Sequence, residues 1–183
     1  MEDTKLVERA QGGDARAYSE LVERHQARVY ATLRKMTGDS DLAMDLTQDA
    51  FIRGWEQLAS FHRRSAFSTW LYRIAVRLAY DAIERERRTT PTGFDRVADR
   101  EIADPAPGPD RRAEGRADSE LLERRIAELP NVQRAVVVLR TYDDMPYREI
   151  AEILGTTETS ARVSYHYAIT KLRGRYLEEA KSK

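Results

Sequence analysis

Along most of the chain, apolar side chains recur three or four positions apart, the spacing of one face of an α-helix. In the first ninety residues this spacing predicts helices divided by Gly12 and Gly13, with another break at Gly38. A further helix is predicted from Ser40, as its N-cap, to about Leu58. Its apolar positions are Leu42, Leu46, Ala50, Phe51, Trp55 and Leu58. A long amphipathic helix follows over residues 67–88. Its apolar stripe is Phe67, Trp70, Leu71, Ile74, Ala75, Leu78, Ala82 and Ile83.

The same spacing returns from residue 120 onward. It predicts a short helix that ends at Pro130, then a second helix, then a third with Pro146 at its first position and Gly155 at its end. A last helix is predicted from about residue 157 to beyond residue 172. No strand-like alternation of useful length occurs, so the pattern predicts an all-α fold.

Residues 89–119 interrupt this periodicity. They hold four of the six prolines and carry seven acidic against five basic side chains. A polar, proline-containing stretch without an apolar period favours an extended chain over a packed core. The sequence therefore predicts two small helical domains, residues 1–88 and 120–183, joined by a flexible acidic linker.

The composition and the spacing of chemically active residues argue against several classes of protein. The 183 residues include no cysteine and no apolar run long enough to cross a membrane, and the charged N-terminus lacks a secretion signal. His25, His62 and His166 lie in different segments without metal-ligand spacing. No Gly-rich phosphate loop or nucleophile motif appears. We expect a cytoplasmic protein without membrane insertion, which is not an enzyme and needs no cofactor or metal.

The net charge is zero, but its distribution is uneven. Residues 1–60 carry 8 basic and 11 acidic side chains, whereas residues 61–88 carry 7 basic and 3 acidic ones. A protein that grips DNA unaided is usually basic overall, because phosphate contacts supply much of the affinity. If DNA is the ligand, the isolated chain should bind it weakly, and a partner should supply the remaining affinity.

Residues 147–173 have the pattern of a helix-turn-helix. Ala151 allows a close crossing of the two helices, and Gly155 supplies the left-handed turn. In such units the second helix lies in the major groove. The candidates for base or phosphate contact are Arg162, Val163, Ser164, His166, Tyr167, Lys171 and Arg173. The alternative is a helical hairpin without a role in DNA binding.

Residues 61–88 combine aromatic and basic side chains. Phe67 and Trp70 fall on the predicted apolar stripe, so core packing is their expected role. The opposite side is predicted to present Tyr72, Arg73, Arg77, Tyr80, Arg87 and Arg88. Rings beside arginines suit single-stranded DNA, because bases stack on the rings and phosphates pair with the guanidinium groups. A solvated basic face is the alternative.

A third pattern lies on the helix predicted from Ser40. Asp45, Gln48, Asp49 and Ile52 recur at helical spacing and form one polar, acidic stripe. DNA would be repelled by this stripe, whereas a basic protein surface would be attracted. By itself the stripe is also compatible with a solvated helix face.

Taken together, the three patterns resemble a sigma factor of the sigma-70 family, in its small extracytoplasmic-function (ECF, group IV) form. The strings that carry the resemblance are LVERAQGGDARAYSELVERHQARVYATL, DLTQDAFIRGWEQLASF, FSTWLYRIAVRLAYDAIERERR and LPNVQRAVVVLRTYDDMPYREIAEILG. They cover nearly the whole chain, and the two-domain organisation fits the ECF group.

The resemblance implies partners and roles. Asp45, Gln48, Asp49 and Ile52 would dock on the clamp coiled-coil of the polymerase β′ subunit, and the β flap and an anti-sigma factor are further implied partners. The linker would thread toward the active-site and RNA-exit channels. The melted −10 element would contact Phe61, His62, Arg63, Arg64, Ser65, Arg73, Arg77, Tyr80 and Asp81. The −35 element would contact Arg162, Val163, Ser164, His166, Tyr167, Lys171 and Arg173.

Three positions depart from the family pattern. Arg77 replaces a frequent Asn, and Ser164 and Tyr167 replace two customary arginines of the recognition helix. The change at Arg77 bears on specificity at the −10 surface, and the changes at Ser164 and Tyr167 predict an unusual −35 preference and a weaker grip on phosphates. A stand-alone helix-turn-helix regulator that binds duplex DNA as a dimer is the alternative. It explains residues 147–173 but neither the acidic stripe nor residues 61–88. An adaptor protein that does not bind DNA is a further alternative.

Overall fold

The computed structural model describes residues 2–89 and 121–180, so the predicted linker lies, apart from Thr89, outside the described residues. The first described range contains α1 (Asp3–Gln11), α2 (Ala15–Thr37), α3 (Ser40–Gln57), a 3-10 turn (Leu58–Ser60) and α4 (Phe67–Thr89). The second contains α5 (residues 121–127), α6 (Asn131–Thr141), α7 (Tyr147–Leu154) and α8 (Glu158–Ala180). Both described ranges are built from helices, which confirms the predicted all-α fold with two helical domains.

Capping side chains and glycines set the helix ends. Asp14 caps α2, because its carboxylate accepts hydrogen bonds from the backbone N–H groups that follow it. The N-cap of α3 is Asp39, not the predicted Ser40; its carboxylate accepts from the next free N–H groups at 2.9 and 3.1 Å. Pro146 is the N-cap of α7 rather than its first residue. Gly155 ends α7 in the predicted left-handed conformation, with φ of 65°.

Helices α1–α4 pack around one apolar core. Gly54 of α3 permits the close approach of α2, since a Cβ there would lie 2.7 Å from the hydroxyl oxygen of Tyr18. That hydroxyl donates to the carbonyl oxygen of Phe51 at 2.6 Å. The largest fully buried side chains of this domain are Leu6, Leu21, Leu33, Met36, Leu71 and Tyr72.

The second domain packs α6, α7 and α8 around the buried valines of α6. Ala151, Ala161 and Ala168 are buried at the helix crossings, where their small side chains let the axes approach. The domain also packs against the first one, since α6 contacts α2 and α7 contacts α4. The far side of α4 is therefore covered by protein at Tyr72, whereas Arg73 and Arg77 on that side remain exposed.

Tyr72 and Trp55 do not lie where they were predicted. Tyr72, predicted on the exposed side of α4, is only 1% exposed, because the second domain packs over it. Trp55, predicted on the apolar stripe of α3, is 41% exposed, and its ring contacts Tyr18 with the ring centroids 5.0 Å apart.

Candidate protein and nucleic-acid interfaces

The outer face of α3 is acidic and apolar together. Asp45, Gln48 and Asp49 are exposed, as predicted from their spacing, and Ile52 is 57% exposed beside them. Met44 and Trp55 are also exposed on this face, although the predicted stripe did not include them. Scattered apolar residues on a surface need no explanation, but several on one helix face beside acidic groups are typical of a protein-binding site.

The segment between the 3-10 turn and α4, residues 61–66, forms an ordered loop. Its side chains His62, Arg63 and Arg64 are exposed, and Ser65 is half-buried. Phe61 was predicted as part of the DNA surface, but its ring is buried beneath the loop, 4.9 Å from that of Trp70. The exposed part of the loop is therefore basic, and the aromatic rings support it from below.

The predicted contact residues on α4 do not form one open surface. Arg77 and Asp81 are exposed, one helical turn apart. Arg73 is also exposed, but it donates through Nε and Nη2 to the carbonyl oxygen of Glu152 on α7, at 3.1 and 2.8 Å. The hydroxyl of Tyr80 is buried without a hydrogen-bond partner among the described residues, and its burial raises its pKa. Of these four side chains, only the Tyr80 hydroxyl is removed from solvent, since Arg73 remains exposed while it makes its contact with α7.

The outer face of α8 carries most of the predicted −35 residues in exposed positions. Arg162, Val163, His166 and Lys171 are exposed, and Tyr167 is 63% exposed. Ser164 is half-buried and Arg173 is exposed. An arginine, a histidine and two apolar groups on one face offer both hydrogen bonds and methyl contacts to base edges.

Arg162 is held in place by neighbouring side chains. Its Nη2 pairs with Glu158 at 2.8 Å, and its guanidinium lies 5.0 Å from the ring centroid of Tyr147. The Tyr147 ring also faces Arg140 at 5.3 Å and packs edge-on against Tyr165. At the start of α8, the hydroxyl of Thr157 accepts from the Ser160 N–H at 3.1 Å. The helix start and its first arginine are therefore fixed before any ligand binds.

The described ranges show neither a metal site nor a membrane-spanning helix. Within residues 2–89 and 121–180, no three His, Asp or Glu side chains are grouped so as to hold a metal ion. None of the helices in these ranges is both long enough and apolar enough to cross a membrane.

Comparison with known families and proteins gives two family matches. Sigma-70 region 2 matches residues 21–89, and sigma-70 region 4 matches residues 119–172. The sigma-E factor of Escherichia coli K12 is 34% identical over 162 residues, covering 83% of this chain and 82% of that protein. The ECF sigma factor SigW of Bacillus subtilis is 29% identical over 181 residues, covering 92% and 94%. These relatives are named as sigma factors and not as enzymes.

Solved structures show the same fold. CnrH, solved in complex with the cytosolic domain of CnrY, superposes with a TM-score of 0.71 at 23% identity, covering 97% of each chain. The sigma factor RpoE of Bartonella quintana, solved with the anti-sigma factor NepR, gives a TM-score of 0.65 at 20% identity and covers 86% of this chain and 94% of that one.

Proposed function

Since the chain belongs to the extracytoplasmic-function sigma factors of the sigma-70 family and is an RNA polymerase sigma factor, we propose that three separate surfaces carry out its work. The exposed face of α3 docks on core polymerase. The loop at residues 61–66, with the neighbouring part of α4, receives the melted −10 element. The outer face of α8 reads the −35 element in the major groove.

The acidic and apolar face of α3 is the observation that carries this proposal. Asp45 and Asp49 would repel DNA, whereas Ile52 and Trp55 offer apolar area to a protein partner. The β′ clamp coiled-coil is the partner assigned to this face. The β flap is assigned to the second domain, where Leu122 and Val132 are exposed on α5 and α6.

The promoter contacts follow from the chemistry of the other two surfaces. The exposed loop residues His62, Arg63 and Arg64 can hold the phosphates around an extruded base. On α8, Arg162 can donate to a guanine or to a phosphate, and Val163 and Tyr167 can contact thymine methyl groups. Residues 1–88 thus act as the core-docking and −10 domain and residues 120–183 as the −35 domain. Residues 89–119 link them.

The proposal also assigns an anti-sigma factor as a partner and the cytoplasm as the location. The RpoE protein of Bartonella quintana was solved with an anti-sigma factor, and a protein of similar fold offers a comparable target. Binding core polymerase requires that the chain act in the cytoplasm. Catalysis of RNA synthesis belongs to the polymerase, and the sigma factor contributes specificity and strand opening without a cofactor.

Reconstitution with core polymerase tests the proposal. Run-off transcription on a promoter library should yield transcripts only when both the chain and core enzyme are present. Mobility shifts should show weak binding of duplex promoter by the chain alone and strong binding by the holoenzyme, because the chain has no net positive charge. Tight, sequence-specific binding by the isolated chain, without a response to core enzyme, would favour the dimeric helix-turn-helix regulator instead.

A further inference from the structure

We propose that α1 is the positioning element of the −10 loop, in which Gln11 and Glu8 hold residues 61–65 in shape without touching DNA. The inference rests on the proposed role of this loop. Sequence reasoning singled out neither residue, because both lie about fifty positions before the loop, and only the fold brings them to it.

Gln11 clamps both ends of the 3-10 turn that leads into the loop. It is the last residue of α1, and its side-chain amide donates to the carbonyl oxygens of Leu58 and Phe61, each at 2.9 Å. The backbone N–H of Phe61 also donates to the Leu58 carbonyl at 3.1 Å. One half-buried amide therefore fixes the start and the end of the turn with respect to α1.

Glu8 fixes the next part of the loop. Its carboxylate forms an ion pair with Nη1 of Arg63, and Arg63 has the left-handed backbone conformation, with φ of 56°. A residue with a Cβ adopts this conformation only against a steric cost. Glu8 and Gln11 are three positions apart on α1 and so share one helix face. Both partners of the ion pair are about half exposed, so it adds little stability, and its effect is on loop geometry.

The loop is also supported from below. The buried ring of Phe61 packs against those of Trp70 and Phe67, with centroids 4.9 and 6.2 Å apart. Exposed His62 and Arg64 are left free to face a ligand, since neither is used in these contacts. A loop held in this way loses little conformational freedom when a base binds. Release of the clamp should therefore weaken capture of the melted strand.

Exchange of the Gln11 amide for a carboxylate tests the positioning role of this residue. Gln11→Glu keeps the size of the side chain but replaces its donating amide with a carboxylate that can only accept, facing two carbonyl oxygens. Gln26→Glu makes the same change at an exposed position of α2 and serves as the matched control. Both variants are assembled into holoenzyme. The readout is the affinity for a fluorescent single-stranded oligonucleotide that carries the non-template −10 strand of a promoter selected by that holoenzyme.

We expect Gln11→Glu to lower this affinity about tenfold, which corresponds to the loss of one to two hydrogen bonds. Permanganate reactivity of the duplex promoter should fall in parallel, while a template with a pre-melted −10 bubble regains part of the yield. Core affinity should match that of Gln26→Glu, and the thermal midpoint should fall only by the few degrees that the lost hydrogen bonds cost. Glu8→Gln should lower the oligonucleotide affinity by a smaller factor. Its difference from the parent chain should diminish with added salt, because the ion pair that it removes is exposed.

The loop variant Arg64→Ala separates failure of the inference from failure of the proposed function. If Arg64→Ala loses oligonucleotide affinity and Gln11→Glu does not, α1 does not position the loop, and the −10 assignment stands. If neither changes the affinity although the holoenzyme opens promoters, the loop is not the −10 reader. If Gln11→Glu lowers core affinity by the same factor as oligonucleotide affinity, Gln11 only stabilises the fold, and the positioning role is wrong.

Discussion

The hydroxyl of Tyr72 on α4 donates to the carboxylate of Asp143, 71 positions later in the chain, at 3.2 Å, and so joins the two domains. The same carboxylate accepts from Thr32 at 2.7 Å and from Arg28 at 3.1 Å, both on α2. Asp143 is buried, so these donors replace its hydration. A segment between α6 and α7 is thereby tied to two helices of the first domain.

This contact has a consequence for the −10 surface. In the packed arrangement Arg73 is bonded to the carbonyl oxygen of Glu152, and the hydroxyl of Tyr80 is buried. Arg73 is exposed but engaged by Glu152, so its guanidinium is fully free for DNA only when α7 moves away. The Asp143 contacts, which tie the two domains together, therefore favour the arrangement in which Arg73 is bonded to Glu152.

Asp143→Asn should loosen the packing of the two domains. It replaces one carboxylate oxygen with an NH2 group, which then faces either the donor Thr32 or the donors Tyr72 and Arg28, and it removes the charge that faces Arg28. We expect the free energy of unfolding to fall by about 1–3 kcal/mol, the usual cost of a buried polar group left without its partner. Dyes attached after Glu23→Cys and Lys171→Cys can report the domain separation by energy transfer, since the natural chain has no cysteine.

The adjacent Asp144 provides the control. It lies in the left-handed region with φ of 50°, which asparagine tolerates, and its side chain is 94% exposed. Asp144→Asn should change neither the energy transfer nor the stability by more than about 0.5 kcal/mol. Equal energy transfer in both variants and the parent chain would show that Asp143 does not hold the domains together.

Asp49→Arg should abolish binding to core polymerase while the fold remains intact. Asp49 is exposed on the face assigned to the clamp coiled-coil, and the change replaces attraction with repulsion. Exposed helix positions tolerate such changes within about 0.5 kcal/mol of stability. Core affinity can be measured by competition with a labelled parent chain. Glu23→Arg, the same change at an exposed position of α2, should bind normally, and normal binding by Asp49→Arg would refute the docking assignment.

Local periodicity was enough to predict the helices, the helix-turn-helix and the exposed face at Asp45 and Asp49. It failed where packing is decided by distant residues. Tyr72 lies on the side of α4 opposite Phe67, so the pattern assigned it to solvent, but the second domain covers that side. A helix buried on two faces by different domains cannot be distinguished by spacing from one with a single buried face.

Aromatic residues were misplaced for a related reason. Trp55 fits the apolar spacing of α3, yet the space behind Gly54 is already filled by Tyr18, so the indole remains at the surface. Phe61 was assigned to the DNA surface with its loop, although its ring fills the space beside Trp70. Sequence spacing does not indicate which of several candidate rings occupies a limited core volume.

Arg134 is another residue that the sequence did not single out. Its guanidinium is buried and donates to the carbonyl oxygens of Met36, Ala127 and Leu129, the first in the other domain. Burial lowers the pKa of Arg134 to about 10. Since the folded-state pKa is lowered, the charge carries a cost that is constant below about pH 10 and is relieved only as the pH rises above that value.

Arg134→Met relieves that cost but leaves three carbonyl oxygens without their donor, so we expect a net loss of about 1–3 kcal/mol of stability, the usual cost of a buried polar group left without a partner. The loss should be the same at pH 6 and at pH 9, because Arg134 is protonated in both folded and unfolded chains throughout that interval. Urea unfolding at the two pH values measures it. Arg148→Met at an exposed position of α7 should be nearly neutral. A difference between the two pH values would contradict the assignment of a charged Arg134.

Substitutions of Arg162 should distinguish base reading from phosphate contact at the −35 element. The structure holds its guanidinium between Glu158 and the ring of Tyr147, in an exposed position on α8. If its fork binds a guanine, Arg162→Ala and Arg162→Lys should both cost about 1–3 kcal/mol, confined to one base position. If it contacts only phosphate, Arg162→Lys should be close to normal, and Arg162→Ala should weaken binding to all sequences and reduce the salt slope by about one charge.

Arg162→Ala also leaves the Glu158 carboxylate without its partner, which adds repulsion toward DNA. Combination with Glu158→Gln removes that contribution. A library randomised at the −35 element, transcribed by each holoenzyme at two salt concentrations, gives both readouts, and unchanged transcription from every sequence would mean that α8 meets the DNA with a different face.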